Sequence, residues 1–388
     1  MTQVDFFTEV LNHGGENPTE ILVGNDLLAA PEVVERLRHW LEGRTVFVLS
    51  TPLLERLHGG ALHHLTSVAE RRVDLSVEDG EGAKTLDHAG RLWREMLLAG
   101  GKRDSRLIAF GGGTVGDLAG FVAGCFLRGI EVVQVPTTLL AQVDASIGGK
   151  TAIDLPEGKN TVGVFLHPRW VLSDTRLLTT LPRREIRAGL VEAIKKAALL
   201  DVDLLTRIET DLDALLTGQG NALAEVVRRA ASAKSRVVEA DEREGGWRQV
   251  LNYGHTLGHA IEGALGYGDL LHGEAVAYGI LFANRLARRR GLGGALPSRM
   301  RRLLERLELP PLPPLAVDDL LAFAGRDKKA RRGGLTWVLP EDLGKPCFVD
   351  DLGWDEVAAE IGSFLADPWS EGAVSAGPST GGEAEIGL

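Results

Sequence analysis

The chain has 388 residues, 44% hydrophobic and 25% charged, proportions of a globular protein long enough for two domains and unlike a disordered or membrane-embedded chain. A net charge of −11 argues against nucleic acid as the main partner, because a phosphate backbone selects basic faces, so any anionic ligand must sit on a local basic cluster. Two cysteines, Cys125 and Cys347, exclude a disulfide scaffold. The opening residues lack a basic stretch followed by an apolar core, and uncharged runs such as 132–143 are too short to span a bilayer, so the expectation is a cytoplasmic protein with no membrane partner.

Up to about residue 175, short β-branched or apolar runs at 21–23, 45–50, 72–75, 107–110 and 131–135 read as strands, with amphipathic helices such as 31–41 and 84–98 between them. That alternation specifies a mostly parallel sheet with helices packed on it. From about residue 183 the periodicity is helical, clearest at 186–200, 222–240, 255–263, 274–290 and 297–307, and Pro310-Pro-Leu-Pro-Pro314 breaks the run. The fold class is α/β plus α. The expected organisation is an α/β domain over 1–175, a helical domain over 176–365, and a disordered tail over 366–388, rich in Gly, Ser, Ala and acidic residues.

Gly111-Gly-Gly-Thr-Val-Gly-Asp117 follows a strand and opens an apolar helix. Glycines at 111, 113 and 116 have the spacing that lets a pyrophosphate approach backbone N–H groups at a helix N-terminus. The position, over a hundred residues in, and the lack of an acidic residue about 20 residues further on differ from an ordinary dinucleotide fold. A plain strand-to-helix turn remains the alternative.

The run Val135-Pro-Thr-Thr138 puts two hydroxyls, Thr137 and Thr138, at the carboxyl edge of a strand, where α/β sheets bind ligands. Asp144, Lys150, Lys159 and Asn160 then gather charge around glycines. Gly148-Gly-Lys-Thr151 looks like the end of a nucleoside-triphosphate loop, but that pattern needs glycine at 144, which is Asp, so an ATPase is rejected. Glu192 and Lys195, three apart on a helix, would ordinarily be a solvated pair; here Leu190, Val191, Ile194 and Ala197 leave little room for that.

Leu251-Asn-Tyr-Gly-His-Thr-Leu-Gly-His259 and Leu271-His-Gly-Glu-Ala275 place His255, His259 and His272 within 18 positions. His255 and His259 share a helix face, and a second helix can return His272 to them. With a carboxylate such as Glu192 they make a site for a zinc-like ion, although Thr256 stands where a metallopeptidase has its glutamate base. Locally hydrogen-bonded helix histidines are the alternative.

Read in order, these motifs, together with Arg128-Gly, Asp241-Glu-Arg-Glu-Gly and Asp327-Lys-Lys329, resemble the 3-dehydroquinate synthases, the shikimate-pathway members of the sugar phosphate cyclases, over roughly residues 20 to 362. The resemblance implies an N-terminal NAD-binding domain and a C-terminal helical domain for metal and substrate. It implies a homodimeric enzyme using NAD and one divalent ion, zinc or cobalt. The sugar phosphate substrate, 3-deoxy-D-arabino-heptulosonate 7-phosphate, becomes 3-dehydroquinate and phosphate through transient oxidation, phosphate elimination, reduction and intramolecular aldol closure.

By that resemblance Glu192, His255 and His272 are the metal ligands, and His259 contacts the substrate phosphate instead. Asp144, Lys150, Asn160, Lys195 and Glu244 surround the ring hydroxyls and metal, and Lys234 and Arg248 clamp the substrate carboxylate. Arg128 of a partner subunit, Asn252, His259 and Lys328 or Lys329 hold the phosphate. Glu81, Lys84, Gly113, Thr114, Asp117, Thr137, Thr138, Lys150, Lys159 and Thr180 line the NAD site.

Leu49-Ser-Thr-Pro-Leu53 offers only hydroxyls where the family often has an acidic or amide side chain for the ribose, and Lys196 replaces a usually neutral residue. Neither departure is expected to touch the carboxylate, phosphate or metal sets. Two other classes remain open: a secondary-metabolite cyclase, such as amino-dehydroquinate synthase or 2-deoxy-scyllo-inosose synthase, and a metal-dependent polyol dehydrogenase. Buried, unpaired Lys234 and Arg248 would be costly without a substrate carboxylate, which disfavours the inosose route. A non-catalytic binding protein has no need of an intact set of metal ligands.

Overall fold

A computed structural model describes residues 5–372 except 16, 219, 267 and 331–334, and no side chains for 326–330. The chain parts into two compact units: residues up to 197 with 203–248, and 198–202 with residues from 249 onward.

The first unit contains strands β1 (Phe6–Leu11), β2 (Thr19–Gly24), β3 (Thr45–Ser50), β4 (Arg71–Ser76), β5 (Arg106–Gly111), β6 (Glu131–Pro136), β7 (Lys150–Leu155), β8 (Gly158–Phe165) and β9 (Trp170–Asp174). Its helices are α1 (Pro31–Leu41), α2 (Pro52–Thr66), α3 (Leu86–Leu98), α4 (Gly113–Cys125), most of α5 (Arg183–Leu200) and α6 (Val202–Leu215), and α7 (Gly220–Ala240). Seven strands form a sheet in the order β1-β2-β9-β6-β5-β3-β4, parallel except for the antiparallel β1–β2 edge.

Alternation along the central strands fills both faces. Phe47, Leu49, Leu107 and Ala109 pack with Leu92, Met96, Leu118 and Val122 of α3 and α4, whereas Val46, Val48, Ile108 and Phe110 pack with Val33, Leu37, Leu62 and Leu65 of α1 and α2. The strands expected at 21–23, 45–50, 72–75, 107–110 and 131–135 are all present. The division between units differs from the pattern change at 175: α7 packs on β1 and β2, so the first helices of the helical run complete the sheet unit.

The second unit contains α8 (His255–Ala264), α9 (His272–Arg289), α10 (Leu296–Glu305), α11 (Val317–Ala330), the hairpin β10 (Trp337–Asp342) and β11 (Lys345–Val349), and α12 (Trp354–Ala366). Helix α9 is buried along nearly its whole length and is the axis of this unit, with Phe282 against Trp337 and Phe364. The described chain continues past the expected start of the tail: Arg285 Nη1 donates to Asp367 O at 3.0 Å, and Glu371 pairs with Arg288 and Arg301 and accepts from Ser298. Those ion pairs fix residues 367–372 on α9 and α10, which composition could not reveal; the rest of the expected tail, 373–388, lies outside the described residues. No helix among the described residues is long and apolar enough to cross a membrane.

Candidate functional site

In the second unit, α8 and α9 start at two of the motif histidines and cross closely. A Cβ on Gly279 of α9 would lie 1.8 Å from Gly254 O, so only hydrogen there lets the helices meet, and one on Gly258 would press on Val276 Cα at 3.1 Å. The crossing gathers the imidazoles: ring centroids are 5.0 Å apart for His255 and His259, 5.2 Å for His255 and His272, and 5.8 Å for His259 and His272. Glu274 accepts from Leu271 N at 2.8 Å, which fixes the start of α9 next to His272.

Two of these rings are oriented from behind. His272 Nδ1 lies 3.1 Å from Glu262 Oε2, and His255 Nδ1 lies 3.4 Å from Tyr253 O. An oxygen acceptor at Nδ1 selects the Nδ1–H tautomer and makes Nε2 the lone-pair nitrogen, the arrangement of metal-bound histidines. Glu262, absent from the sequence reading, is the carboxylate doing this at His272. Its signal was an acidic residue three positions after His259 in an otherwise apolar helix. Donor atoms of His259, Glu262 and His272 lie within 4.8 Å of one another.

The first unit holds a buried charge cluster. Lys195 Nζ lies 2.6 Å from Glu192 Oε2, with both side chains inaccessible, so the pair is internal, not solvated. Lys196 is buried too. Its Nζ lies 2.5 Å from Asp144 Oδ1 and 3.4 Å from Glu192 Oε2, so the substitution expected to touch no functional set instead bridges two carboxylates of the expected site. The identity of one residue does not reveal its rotational position on α5, which the packing of the helix decides.

Lys234 Nζ lies 3.0 Å from Asp144 Oδ2 and donates to Asp144 O at 2.7 Å. Arg248 donates to Gly148 O at 3.1 Å and to Glu242 O, and its own N–H donates to Asp241 Oδ2 at 2.9 Å. Burial opposes the charge of Asp144, but Lys196, Lys234 and Lys195 together hold its carboxyl well below the usual range. Burial lowers Lys195, only partly countered by Glu192, and brings Lys234 down to about 8 despite Asp144. For Lys196 the order of strength reverses: burial works against the cation, yet Asp144 and Glu192 outweigh it and raise its pKa.

A third cluster lies beside the N-terminus of α4. Lys84 Nζ sits 2.9 Å from Asp117 Oδ2, 2.5 Å from Asn160 Oδ1 and 3.4 Å from Glu81 Oε1. Lys159 lies 3.7 Å from Glu81, which also accepts from Thr114 Oγ1 at 3.1 Å. Burial, only partly offset by Lys84, raises Asp117 to about 6. Glu81, Lys84, Thr114, Asp117 and Lys159 are therefore brought together, and Asn160, expected near the ring hydroxyls, stands with them. Gly113 opens α4, whose N-cap Gly112 offers no side-chain cap, so the first N–H groups present the positive end of the helix dipole.

Other expected residues are placed more plainly. Thr137 is buried after β6, Thr138 Oγ1 caps the following turn by accepting from Ala141 N at 3.2 Å, and Thr180 Oγ1 lies 2.9 Å from His58 Nε2 on α2. Lys150 pairs with Glu244, and Gly148 and Gly149 (φ 99° and 68°) lead into β7, not a helix, as rejection of a triphosphate loop requires. Arg128 is exposed in the turn Phe126–Arg128 with φ 72°. Asn252 ends the turn Trp247–Asn252. The side chains of Lys328 and Lys329 lie outside the described residues.

Residues 74–188 match the model of the 3-dehydroquinate synthase N-terminal domain, and 189–330 that of its C-terminal domain. A 3-dehydroquinate synthase of Symbiobacterium thermophilum is 43% identical over 348 residues, which cover 88% of this chain and 97% of that one. The chain belongs to the 3-dehydroquinate synthase family.

Two solved sugar phosphate cyclases share its fold more distantly. The 2-epi-5-epi-valiolone synthase of Streptomyces hygroscopicus, with NAD+ and Zn2+ bound, is 28% identical with a TM-score of 0.83, covering 92% of this chain and 98% of its own. A 2-deoxy-scyllo-inosose synthase, complexed with carbaglucose-6-phosphate, NAD+ and Co2+, is 29% identical with a TM-score of 0.81, covering 92% and 99%.

Lys234 and Arg248 both have protein partners, so their burial alone does not demand a substrate carboxylate. Identity separates the readings instead: 43% to a 3-dehydroquinate synthase against 28% and 29% to the two cyclases with other names.

Proposed function

We propose that this chain is a carbon–oxygen lyase that converts 3-deoxy-D-arabino-heptulosonate 7-phosphate to 3-dehydroquinate and phosphate, working in the cytoplasm as a homodimer. The observation that carries the reading is 43% identity to a 3-dehydroquinate synthase across nearly the whole length of both chains. Glu192, His255 and His272 would hold one divalent ion, zinc or cobalt. Two imidazoles with their Nδ1 atoms held by oxygen, plus a carboxylate, are a donor set of the right chemistry for such an ion. Glu81, Lys84, Thr114, Asp117, Lys159 and the first turn of α4 would hold NAD, with Thr137, Thr138, Lys150 and Thr180 as the remaining expected contacts.

When bound, NAD supplies reversible hydride transfer and the metal ion supplies polarisation of the ring oxygens. The protein's own groups do the holding. Lys234, with a third ammonium proton beyond the two donated to Asp144, and Arg248 receive the substrate carboxylate. Lys195, Asp144, Lys150 and Glu244 orient the ring hydroxyls, and Asn160, held by Lys84, sits with the NAD set. Asn252, His259, Lys328 or Lys329, and Arg128 of a second copy hold the phosphate. Elimination then requires position more than a protein base, because the departing phosphate can itself take the adjacent C6 proton.

The test offers the purified protein, with NAD+ and Co2+, either the heptulosonate phosphate or glucose 6-phosphate, a sugar phosphate without a carboxylate. Phosphate release from the first alone supports the reading. Release from glucose 6-phosphate alone would make the chain an inosose-type cyclase.

A further inference from the structure

Three lysines on two helices share two carboxylates in the first unit. Lys195 pairs with Glu192, Lys234 pairs with Asp144, and Lys196 touches both, at 2.5 Å from Asp144 Oδ1 and 3.4 Å from Glu192 Oε2. Lys196 thus adds a third ammonium beside two carboxylates that already have Lys195 and Lys234 against them, and it is fully buried, where little water screens its charge.

We propose that Lys196 is a positioning residue that trades metal affinity for substrate affinity. By pairing its charge with Oδ1 of Asp144 it offsets part of that carboxylate's pull, so Lys234 is not drawn wholly onto Asp144 and keeps its remaining donor for the carboxylate of the substrate. By lying beside Glu192 it competes with any divalent cation that this carboxylate binds. The inference rests on the functional reading above, in which Glu192 is a metal ligand and Lys234 a substrate contact. Its consequence is a pair of effects of opposite sign, and a residue that merely supported the fold would weaken both.

The experiment compares the wild-type chain with Lys196→Met, which keeps the length of the side chain and removes its charge, and with Lys196→Gln as a second variant should the first not fold. Metal-depleted protein is titrated with Co2+ and followed by visible absorption; KM and kcat for the heptulosonate phosphate are then measured at saturating Co2+. Removing the charge is expected to tighten Co2+ binding about tenfold and to raise KM about tenfold, with kcat changed less than about threefold. Looser Co2+ binding, an unchanged KM, or no change in either quantity overturns the proposal. Failure of the wild-type chain to bind Co2+ or to release phosphate would instead overturn the functional reading, so the two failures are distinguishable.

Discussion

The imidazole of His272 is held by Glu262, with Nδ1 3.1 Å from Oε2, at a position where α8 and α9 approach through Gly258 and Gly279. A carboxylate behind a ligating histidine fixes its tautomer and raises its basicity. Glu262→Ala should therefore weaken metal retention about 10- to 100-fold while His255→Ala removes the ion altogether. Metal content after dialysis against a graded chelator series checks this; wild-type retention in Glu262→Ala would show that the contact is only structural.

The Lys84 cluster gives a second expectation. Its ammonium lies 2.9 Å from Asp117 and 3.4 Å from Glu81, with its side chain 3% exposed. Lys84→Met should cost about 3 kcal/mol of unfolding free energy, because Asp117 loses its cation, and should weaken NAD+ binding. Denaturant unfolding and calorimetric titration of NAD+ measure the two effects. Adding Asp117→Asn should return part of the lost stability, since the stranded charge is gone; a double variant no better than the single one would contradict the account.

β5 and α4 were readable because an apolar run meets glycines at a turn, and the imidazoles because their spacing matches a helix. The hairpin of β7 and β8 was hidden inside a stretch rich in Lys, Asn and Gly that looks like a ligand loop, and α6 and α12 carried no motif to mark them. Lys196 and Glu262 are illegible in sequence for a different reason. Their roles depend on which way a helix face turns toward elements far away in sequence, and only packing settles that.

A pH dependence follows from Lys234. Burial, outweighing Asp144 and joined by Lys196 and Arg248, brings its pKa down to about 8. The cation is present below that pH and lost as pH rises through it, so KM for the carboxylate-bearing substrate should climb above pH 8, approaching about tenfold per unit. The stability effect has the opposite sense: the unfolded lysine keeps its proton to about pH 10.4, so folding becomes more favourable as pH rises from about 8 through that window. Lys234→Met should flatten the alkaline limb of log KM against pH. A limb that persists in the variant assigns it to another group.

Arg128 is exposed in a turn whose backbone is held at positive φ by Leu127, Arg128 and Gly129 together. Backbone strain of this kind clusters at functional sites, and the contact proposed for Arg128 is the phosphate site of a second copy. Mixing Arg128→Ala chains with His255→Ala chains should restore part of the activity, since one site of each mixed dimer keeps both residues. No recovery from verified mixed dimers, or full activity in a stable monomer, rules the shared site out.

A 3-dehydroquinate synthase runs an internally balanced redox cycle that ends in a carbocycle, and product stoichiometry measures that cycle. With catalytic NAD+ and Co2+, each mole of heptulosonate phosphate consumed should yield one of phosphate and one of 3-dehydroquinate, with no net NADH accumulating at 340 nm. NADH appearing in proportion to substrate consumed, without phosphate, would contradict the account and identify a dehydrogenase instead.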